Sequence, residues 1–510
     1  MKAILSVYDK EGIVDFGRAL HDAGFDLVST GKTHEALSGN GALLVTQVSE
    51  LTGFPEMLDG RVKTLHPNVY AGILARRELT EHVDQLTEHG IDTIDLVAVN
   101  LYPFIDTVSK PGVTIEDALE NIDIGGPSMI RAAAKNFGNV IVIVDPSDYE
   151  WIGNRLQSGD TSSITLNERK TLARKAFQHV AFYDTAITQY LGGENALSSD
   201  ELTLGYNKIY DLRYGENPHQ KGAIYSTALS SGGIVSAERL YGEELSFTNV
   251  LDADAAWTAV SDFSQPAAVV VKHTNPCGFA LDSDQPTAYK KAFEGDTVSA
   301  YGGIVGFNTQ VTEATAQTMK GVLYHIVIAP GYDEGALEIL KKRKQVRLLK
   351  VTGETGPLSN VEIRKVSGGV LLQTLDSIDE DSSTWDVVTD RKPTQSELDD
   401  LAFAWKVSKH IKSNTIVLAK DNAVVGMGAG QPNRVTSVHL ALRIAGDKAK
   451  GSALASDAFF PFADSIQMAV EGGIDVIAQP GGSVRDDEVI TEANRLNVAM
   501  VFTGIRHFKH

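Results

Sequence analysis

Cysteine is almost absent from this chain: Cys277 is the single one among 510 residues. One thiol closes no internal disulfide and builds no multi-cysteine zinc site. Positive charge is also scarce. The 46 Lys and Arg residues face 66 Asp and Glu, a formal charge of −20, and broad binding to nucleic acid or an anionic membrane needs a basic face. Both partners are therefore excluded, although a few local cations can still reverse the potential inside a cleft. Long apolar runs are missing too. None approaches the ~20 residues of a membrane span, and Asp9, Lys10 and Glu11 interrupt the opening run Ala3–Val7 before a signal-peptide core can form. These absences predict a cytoplasmic protein. What is present, 43% hydrophobic and 22% charged residues, is ordinary globular composition, and the length predicts two to four domains.

The first part of the chain alternates short apolar runs with helical periodicity. Strands are expected at Ala3–Val7, Phe25–Ser29, Ala42–Val48, Leu96–Asn100 and Val140–Val144, with helices at Gly12–Ala23 and Lys32–Leu37. Apolar strands separated by helices predict an α/β fold with a parallel sheet covered on both faces, and such sheets bind ligands at the carboxyl ends of their strands. A long helix, Asn167–Tyr190, leads into Gly192-Gly193 and the polar stretch Glu194–Asp200, where we place the domain boundary, giving residues 1–196 and 197–510. The second part again alternates. Strands are expected at 267–271, 303–307, 326–328, 416–419, 423–425, 476–478 and 500–502, with helices at 335–344 and 435–444. Two stretches repeat one order of strand, polar loop and helix, the pattern of a divergent duplication. Lys341–Lys344 reads as the solvated last turn of a helix.

Four segments of the first part carry chemistry. Ser29-Thr30-Gly31-Lys32-Thr33 follows a strand and opens a helix, which suits a monophosphate held on backbone N–H groups or an ordinary capped turn; Gly24 lies too far upstream for a Walker loop. In Gly60-Arg61-Val62-Lys63-Thr64 two cations at i and i+2 share one side of an extended segment, a ligand-facing pair or a solvated loop. Tyr102 ends a buried strand, as a ligand contact or a packed aromatic. In Asp123-Ile124-Gly125-Gly126-Pro127 a carboxylate precedes a helix start left open by glycines, and Arg131 and Lys135 share one face of that helix. A carboxylate, a lysine and free N–H groups can serve as an acid–base pair and oxyanion holder, or simply as a capped surface helix.

In the second part, Val269–Val271 is followed by Lys272-His273-Thr274-Asn275-Pro276-Cys277-Gly278. Neighbouring Lys and His repel when both are charged, which favours a neutral His273 able to act as a base; alone, a His after a strand is as well read as structural. Cys277 lacks an orienting partner for nucleophilic work, and Ala280 stands where a zinc-deaminase P-C-x-x-C would need its second thiol. Gly426-Met427-Gly428-Ala429-Gly430-Gln431-Pro432-Asn433-Arg434 is no dinucleotide fingerprint but fits close backbone approach to a ligand or a tight turn. Asp211–Gln220 gathers Arg213 and Tyr214. Ser456–Asp464 offers the aromatic face of Phe459 beside acids, and Arg506 lies near the end of the chain.

The run Ser49–Pro67, with Asn100–Phe104 and Asp123–Asn136, resembles the inosine monophosphate (IMP) cyclohydrolase domain of the bifunctional purine-biosynthesis family. The motifs K-H-T-N-P-C-G, G-M-G-A-G-Q-P-N-R and S-D-A-F-F-P-F resemble the transformylase domain of the same family. The resemblance implies a methylglyoxal-synthase-like first domain and a second domain of two cytidine-deaminase-like α/β units lacking zinc. It implies formyl transfer from 10-formyltetrahydrofolate to aminoimidazole carboxamide ribotide (AICAR), then closure of formyl-AICAR to IMP with loss of water. Lys63, Tyr102, Asp123 and Lys135 would close the ring, and Ser6, Lys10, Ser29, Gly31, Thr33, Arg61, Thr64, Gly125 and Arg131 would hold the ribotide. Lys272, His273 and Asn414 would transfer the formyl group, with Arg213, Tyr214, Gly302, Arg434 and Arg506 on the ribotide, Phe459 stacking and Asp464 on the folate. A homodimer sharing transformylase sites is implied, and no metal; a monovalent ion is left unassigned. Tyr8 departs from the family's S-V-S-D-K, and His325 stands where an acid is expected. A methylglyoxal-synthase-like lyase and a non-catalytic nucleotide sensor are the alternatives.

Overall fold

The opening apolar run folds as β1 (Lys2–Ser6). In this computed structural model, which describes residues 1–39, 43–58, 60–193, 199–353, 356 and 358–510, it is the middle strand of a five-stranded sheet. The others are β2 (Asp26–Ser29), β3 (Val45–Gln47), β4 (Leu96–Val99) and β5 (Ile141–Ile143), in the order β3-β2-β1-β4-β5 with every pair parallel. β4 and β5 are buried at every position, as strands covered on both faces must be. The helix Leu166–Gly192 starts on a reciprocal capping box between Thr165 and Glu168 and packs on the helix Gly125–Lys135 and on β5. The strand order reverses between β1 and β4, so the carboxyl ends of β1, β2 and β4 face a common crevice.

The chain divides into two compact units, Met1–Asn207 with Thr227–Leu229, and Lys208–Ser226 with Ser230–His510. Of the expected boundary stretch, residues 194–198 lie outside the described residues, and the division at 196/197 stays a proposal. Residues 40–42, part of the expected strand 42–48, lie outside them as well. β6 (Tyr206–Leu212) and β7 (Gly222–Thr227) form a two-stranded ribbon.

The second unit is built on a twelve-stranded mixed sheet: β8 (Glu238–Tyr241), β9 (Ala267–Lys272), β10 (Asn275–Leu281), β11 (Gly303–Phe307), β12 (Tyr324–Ala329), β13 (Arg347–Lys350), then, after the hairpin β14 (Val361–Val366) and β15 (Gly369–Thr374), β16 (Asp386–Val387), β17 (Ile416–Lys420), β18 (Ala423–Gly428), β19 (Ala453–Ser456), β20 (Val476–Gln479) and β21 (Ala499–Phe502). Its order is β16-β21-β20-β19-β17-β18-β10-β9-β11-β12-β13-β8. Read outward from the central β10–β18 pair, both halves have one plan: an antiparallel hairpin, three parallel strands and an antiparallel edge strand. The duplication suggested by the sequence is thus a structural one, two similar α/β units joined into one sheet. It extends to single residues. The same sequence offset separates Asp252 from Asp400, Asp262 from His410, Thr274 from Asn422 and Gly278 from Gly426. Asp262 and His410 meet each other, Nε2 to Oδ2 at 2.8 Å. One expectation fails locally. The helix Glu334–Leu340 ends before the basic run, and Arg343 is turned inward, donating to the Met319 carbonyl at 2.6 Å and lying over the Tyr324 ring. It satisfies buried carbonyls where a solvated helix turn was expected.

Candidate active sites, one in each unit

In the first unit the crevice at the strand ends collects most of the expected residues. Ser6 closes β1 and its hydroxyl meets that of Thr30 at 2.9 Å. The helix Gly31–Ser38 begins there with no side-chain cap, leaving its first N–H groups facing the crevice. Lys10 is pinned by the Tyr8 carbonyl at 3.0 Å, and its ammonium is held below its usual pKa first by burial and then by Lys32. Two lysines beside an uncapped helix start form a cradle for a phosphate. Ser29 and Thr33 are buried and face inward: Ser29 Oγ donates to Leu5 O at 2.6 Å, and Thr33 Oγ1 to Val7 O at 2.8 Å. Their hydroxyls are turned into the protein, and the Thr33 N–H is taken by the Thr30 carbonyl at 3.1 Å.

Lys63 reaches the same place. A methyl group added at Gly31 would lie 3.6 Å from Lys63 Nζ, and one at Gly125 would lie 2.8 Å from Thr64 Oγ1. Glu56 is 3.4 Å from Lys63, while exposed Arg61 is paired with Glu120. Asp123 Oδ1 accepts the Gly126 N–H at 2.8 Å, so the helix start that glycines were expected to leave open is partly taken by the carboxylate itself. Burial raises the Asp123 carboxyl above its ordinary value, opposed by the N–H groups of Gly126, Tyr102 and Gly125 and by Lys63. Tyr102 is exposed, and its ring meets Tyr8 edge-on at 6.0 Å. Arg131 lies over the Phe177 ring at 5.8 Å. Lys135 is not part of this group. It ends the helix that Gly125 begins, about 15 Å further on at 1.5 Å per residue.

Sequence reasoning missed three members. Asn100 Oδ1 accepts the Asp9 N–H at 3.0 Å and fixes the turn after β1. Tyr183, half a chain-length of helix away in sequence, accepts the Asp123 N–H at 2.8 Å; burial pushes its phenol up to about 12, so it stays protonated and donates to Asn121 O. Lys32 is the third. It lies within the Ser29–Thr33 motif and Asn100 ends a buried strand, so both had a local signal, whereas Tyr183 had none.

In the second unit Lys272 and His273 stand at the end of β9, and Lys272 Nζ donates to Tyr301 O at 3.1 Å. His273 and Thr274 form the two-residue turn to β10, both left-handed, φ 54° and 62°. That turn class prefers Asn, Asp or Gly, and a β-branched residue there costs about 1–3 kcal/mol. The matching turn in the other half is Asp421-Asn422, φ 54° and 55°, which carries the residues such a turn favours. The first turn therefore tolerates strain for the sake of its side chains. Asn275 bridges it onward: its Nδ2 donates to His273 O at 3.0 Å, and its Oδ1 accepts the Lys412 N–H at 3.3 Å.

Two residues beyond Lys412, Asn414 is held at both ends. Its Oδ1 accepts from Arg434 at 2.6 Å and its Nδ2 donates to Gln431 O at 2.7 Å. One N–H remains, so Asn414 can present a donor to a ligand. Arg434 is buried against Asp457, which is fully buried and also takes the Ser413 hydroxyl. Phe459 follows two residues later, 37% exposed, and the tail is tied alongside by His507 N–H to Asp457 O at 3.1 Å, which brings Arg506 to the same place. Asp464 starts the helix Asp464–Glu471. On the other side of Lys272, Gly302 lies beside His325, whose imidazole is held below its ordinary pKa by burial and then by Arg347 and Lys272. Arg213, over the Tyr214 ring at 5.5 Å, shares Glu243 with Arg347. In a chain of charge −20, this gathering of cations marks an anion site; Arg347 is the member that sequence reasoning missed. The donor set does not fit zinc. Cys277 is buried in β10, its thiol pushed up to about 12 by burial, and the matching residue in the other half is Val425.

Comparison with known proteins covers the whole chain. The family described as AICARFT/IMPCHase bienzyme matches residues 133–444, and the MGS-like domain matches residues 12–128. A bifunctional purine biosynthesis protein of Dictyostelium discoideum is 51% identical over all of this chain and all of its own length. One of Thermoanaerobacter sp. is 51% identical, and one of Bacillus cereus 48%, each over 100% of this chain and 99% of its own. A solved structure titled "Crystal structure of ForH" is 37% identical over 38% of this chain and 97% of its own, at a TM-score of 0.35.

Proposed function

The chain belongs to the family of AICARFT/IMPCHase bienzymes, and from that premise we infer that each unit houses one of its two active sites. The enzyme is a bifunctional AICAR formyltransferase and IMP cyclohydrolase, catalysing the last two steps of purine biosynthesis with a folate-type cosubstrate. The donor is read as 10-formyltetrahydrofolate. The observation that carries the assignment of residues is the Lys272-His273 turn: a strained loop at a strand end, bridged by Asn275 to the Lys412 N–H, two residues before Asn414 and its Arg434 support.

The 5-amine of AICAR is a weak nucleophile, so its proton must leave as its nitrogen attacks the formyl carbon. His273 takes that proton. Lys272 stabilises the charge that develops on the formyl oxygen and supplies the proton as the carbon–N10 bond breaks. Asn414 donates its free N–H to the carboxamide oxygen, and Arg434 fixes Asn414 in that role. Arg213, Tyr214, Gly302 and Arg506 receive the ribotide, Phe459 stacks on a flat ring and Asp464 takes the folate. In the first unit the carboxamide nitrogen attacks the formyl carbon, and water is lost. Lys63 and Tyr102 stabilise the formyl oxygen, and Asp123, its carboxyl raised by burial, moves the proton. Ser6, Lys10, Gly31 and Thr64 cradle the phosphate; the part of Lys135 rests on the family resemblance alone. The resemblance also supports a homodimer sharing transformylase sites. No described helix is long and apolar enough to cross a membrane, and the scarcity of cysteine suits the cytoplasm. Purified protein given AICAR and 10-formyltetrahydrofolate should release IMP; AICAR left unchanged in a folded preparation would overturn this reading. A lyase using only the first unit should instead turn over dihydroxyacetone phosphate.

A further inference from the structure

Two hairpins in the second unit are copies of one device. In each, the N–H of the second turn residue donates to a carboxylate on the preceding helix: Thr274 to Asp252 Oδ1 at 2.7 Å, and Asn422 to Asp400 Oδ1 at 2.8 Å. Asp252 lies on the helix Phe247–Ser261, whose start is fixed by a capping box between Ser246 and Asn249; Asp400 lies at the matching place on the helix Gln395–Ser408, capped by Thr394 and Glu397. The surroundings differ: Asp400 is buried and Asp252 half-buried, and the two turns differ in sequence. Asp421-Asn422 adopts left-handed backbone readily, so there the carboxylate adds to a turn already favoured. His273-Thr274 does not, and its other ties, Thr274 Oγ1 and Asn275 Nδ2, both end on His273 O within the turn's own strand. Asp252 supplies the hold from a separate, anchored helix.

We propose that Asp252 is a positioning residue for formyl transfer, holding the His273-Thr274 turn in the conformation that presents His273 and Lys272 to the substrate, and that Asp400 is its structural twin without a part in the chemistry. The proposal rests on the reading of His273 as the base. The twin provides an internal control, since removing either carboxylate deletes the same hydrogen bond from the same kind of turn.

Formyl transfer and ring closure of supplied formyl-AICAR are measured for Asp252→Ala, Asp252→Asn, Asp400→Ala, Asp400→Asn and His273→Ala in the full chain. A displaced catalytic group loses rate by up to about 100-fold, so Asp252→Ala should lower kcat of formyl transfer about 10- to 100-fold. KM for AICAR should change less than about 3-fold, with ring closure unaffected. Asp252→Asn, which keeps an acceptor, should recover most of the rate. Asp252→Ala combined with Thr274→Asn, which lowers the strain of the left-handed turn, should recover at least several-fold. Asp400→Asn should stay within about 3-fold of the parent and serves as the control if Asp400→Ala folds poorly. Equal losses in the two twins, an unchanged kcat in Asp252→Ala, or no recovery from Thr274→Asn would each overturn the proposal. His273→Ala separates this from the underlying reading: activity retained there overturns the base assignment and the proposal together, whereas its loss beside an active Asp252→Ala overturns the positioning role alone.

Discussion

At Asp123 two influences oppose each other and burial wins. The carboxyl receives N–H groups from the helix start and from Tyr102 and feels Lys63, all of which favour its charged form, yet its pKa lies above the ordinary value. A base must be deprotonated to act, so ring closure should fall as the pH drops through a value above the usual ~3.9 of an Asp side chain. The kcat/KM profile of ring closure against pH should therefore show an acid limb displaced upward from that value. Asp123→Asn should lose about 100-fold or more and abolish that limb. A limb at or below pH 4 in the parent enzyme would remove Asp123 from the base role. Tyr8 sets a further condition here. Its ring meets Tyr102 where the family pattern has a small side chain, so in this chain the position of Tyr102 depends in part on an aromatic neighbour.

The two halves of the large sheet are held to their helices by the same close contact. An added methyl group at Gly278 would lie 1.8 Å from the Ala292 carbonyl oxygen, and one at Gly426 2.3 Å from that of Ala441. Both obstacles are backbone, which cannot rotate aside. Gly278→Ala and Gly426→Ala should each destabilise the second unit by about 3 kcal/mol or more, whereas Gly369→Ala, with nothing within 4 Å, should stay within about 0.5 kcal/mol. Urea midpoints of the three variants test this, and equal midpoints would show that the helices can move away. The same contact explains what was legible beforehand. G-M-G-A-G was read as close backbone approach to a ligand, whereas the approaching group at Gly426 and Gly428 is the chain's own helix, because periodicity carries no information on which elements meet. Buried strands such as β4 and β11 were found nearly to the residue, since a short continuous apolar run has few other uses. The hairpin β14–β15 was not found: β14 is half-buried and β15 largely exposed, and neither carries a sustained alternation. Within the sites, residues acting through their own motif were readable, such as Lys272-His273. Those acting from a distant element, such as Tyr183, Arg347 and Asp252, had no local signature.

At the scale of the whole molecule, on the proposed assignment of the sites, their order along the chain is opposite to the order of the reactions: the second unit would make the formylated ribotide, and the first would consume it. Formyl transfer to a weak amine is disfavoured by the poor nucleophile, and removal of its product by ring closure draws it forward, which gives a physical reason for keeping the two catalysts on one chain. If the sites are chemically independent, each can be silenced alone. Lys272→Ala should lose formyl transfer yet close supplied formyl-AICAR at the parent rate. Asp123→Asn should consume AICAR and accumulate formyl-AICAR. An equimolar mixture of the two variants, given AICAR and 10-formyltetrahydrofolate, should then release IMP after a lag in which formyl-AICAR rises in solution, since the intermediate must pass from one molecule to another. Absorbance and chromatographic time courses distinguish the outcomes. IMP without a lag would mean that the intermediate does not leave for bulk solvent, or that the variants exchange subunits into mixed assemblies. No IMP from the mixture, with both single activities intact, would mean that formyl-AICAR stays bound to the variant that makes it.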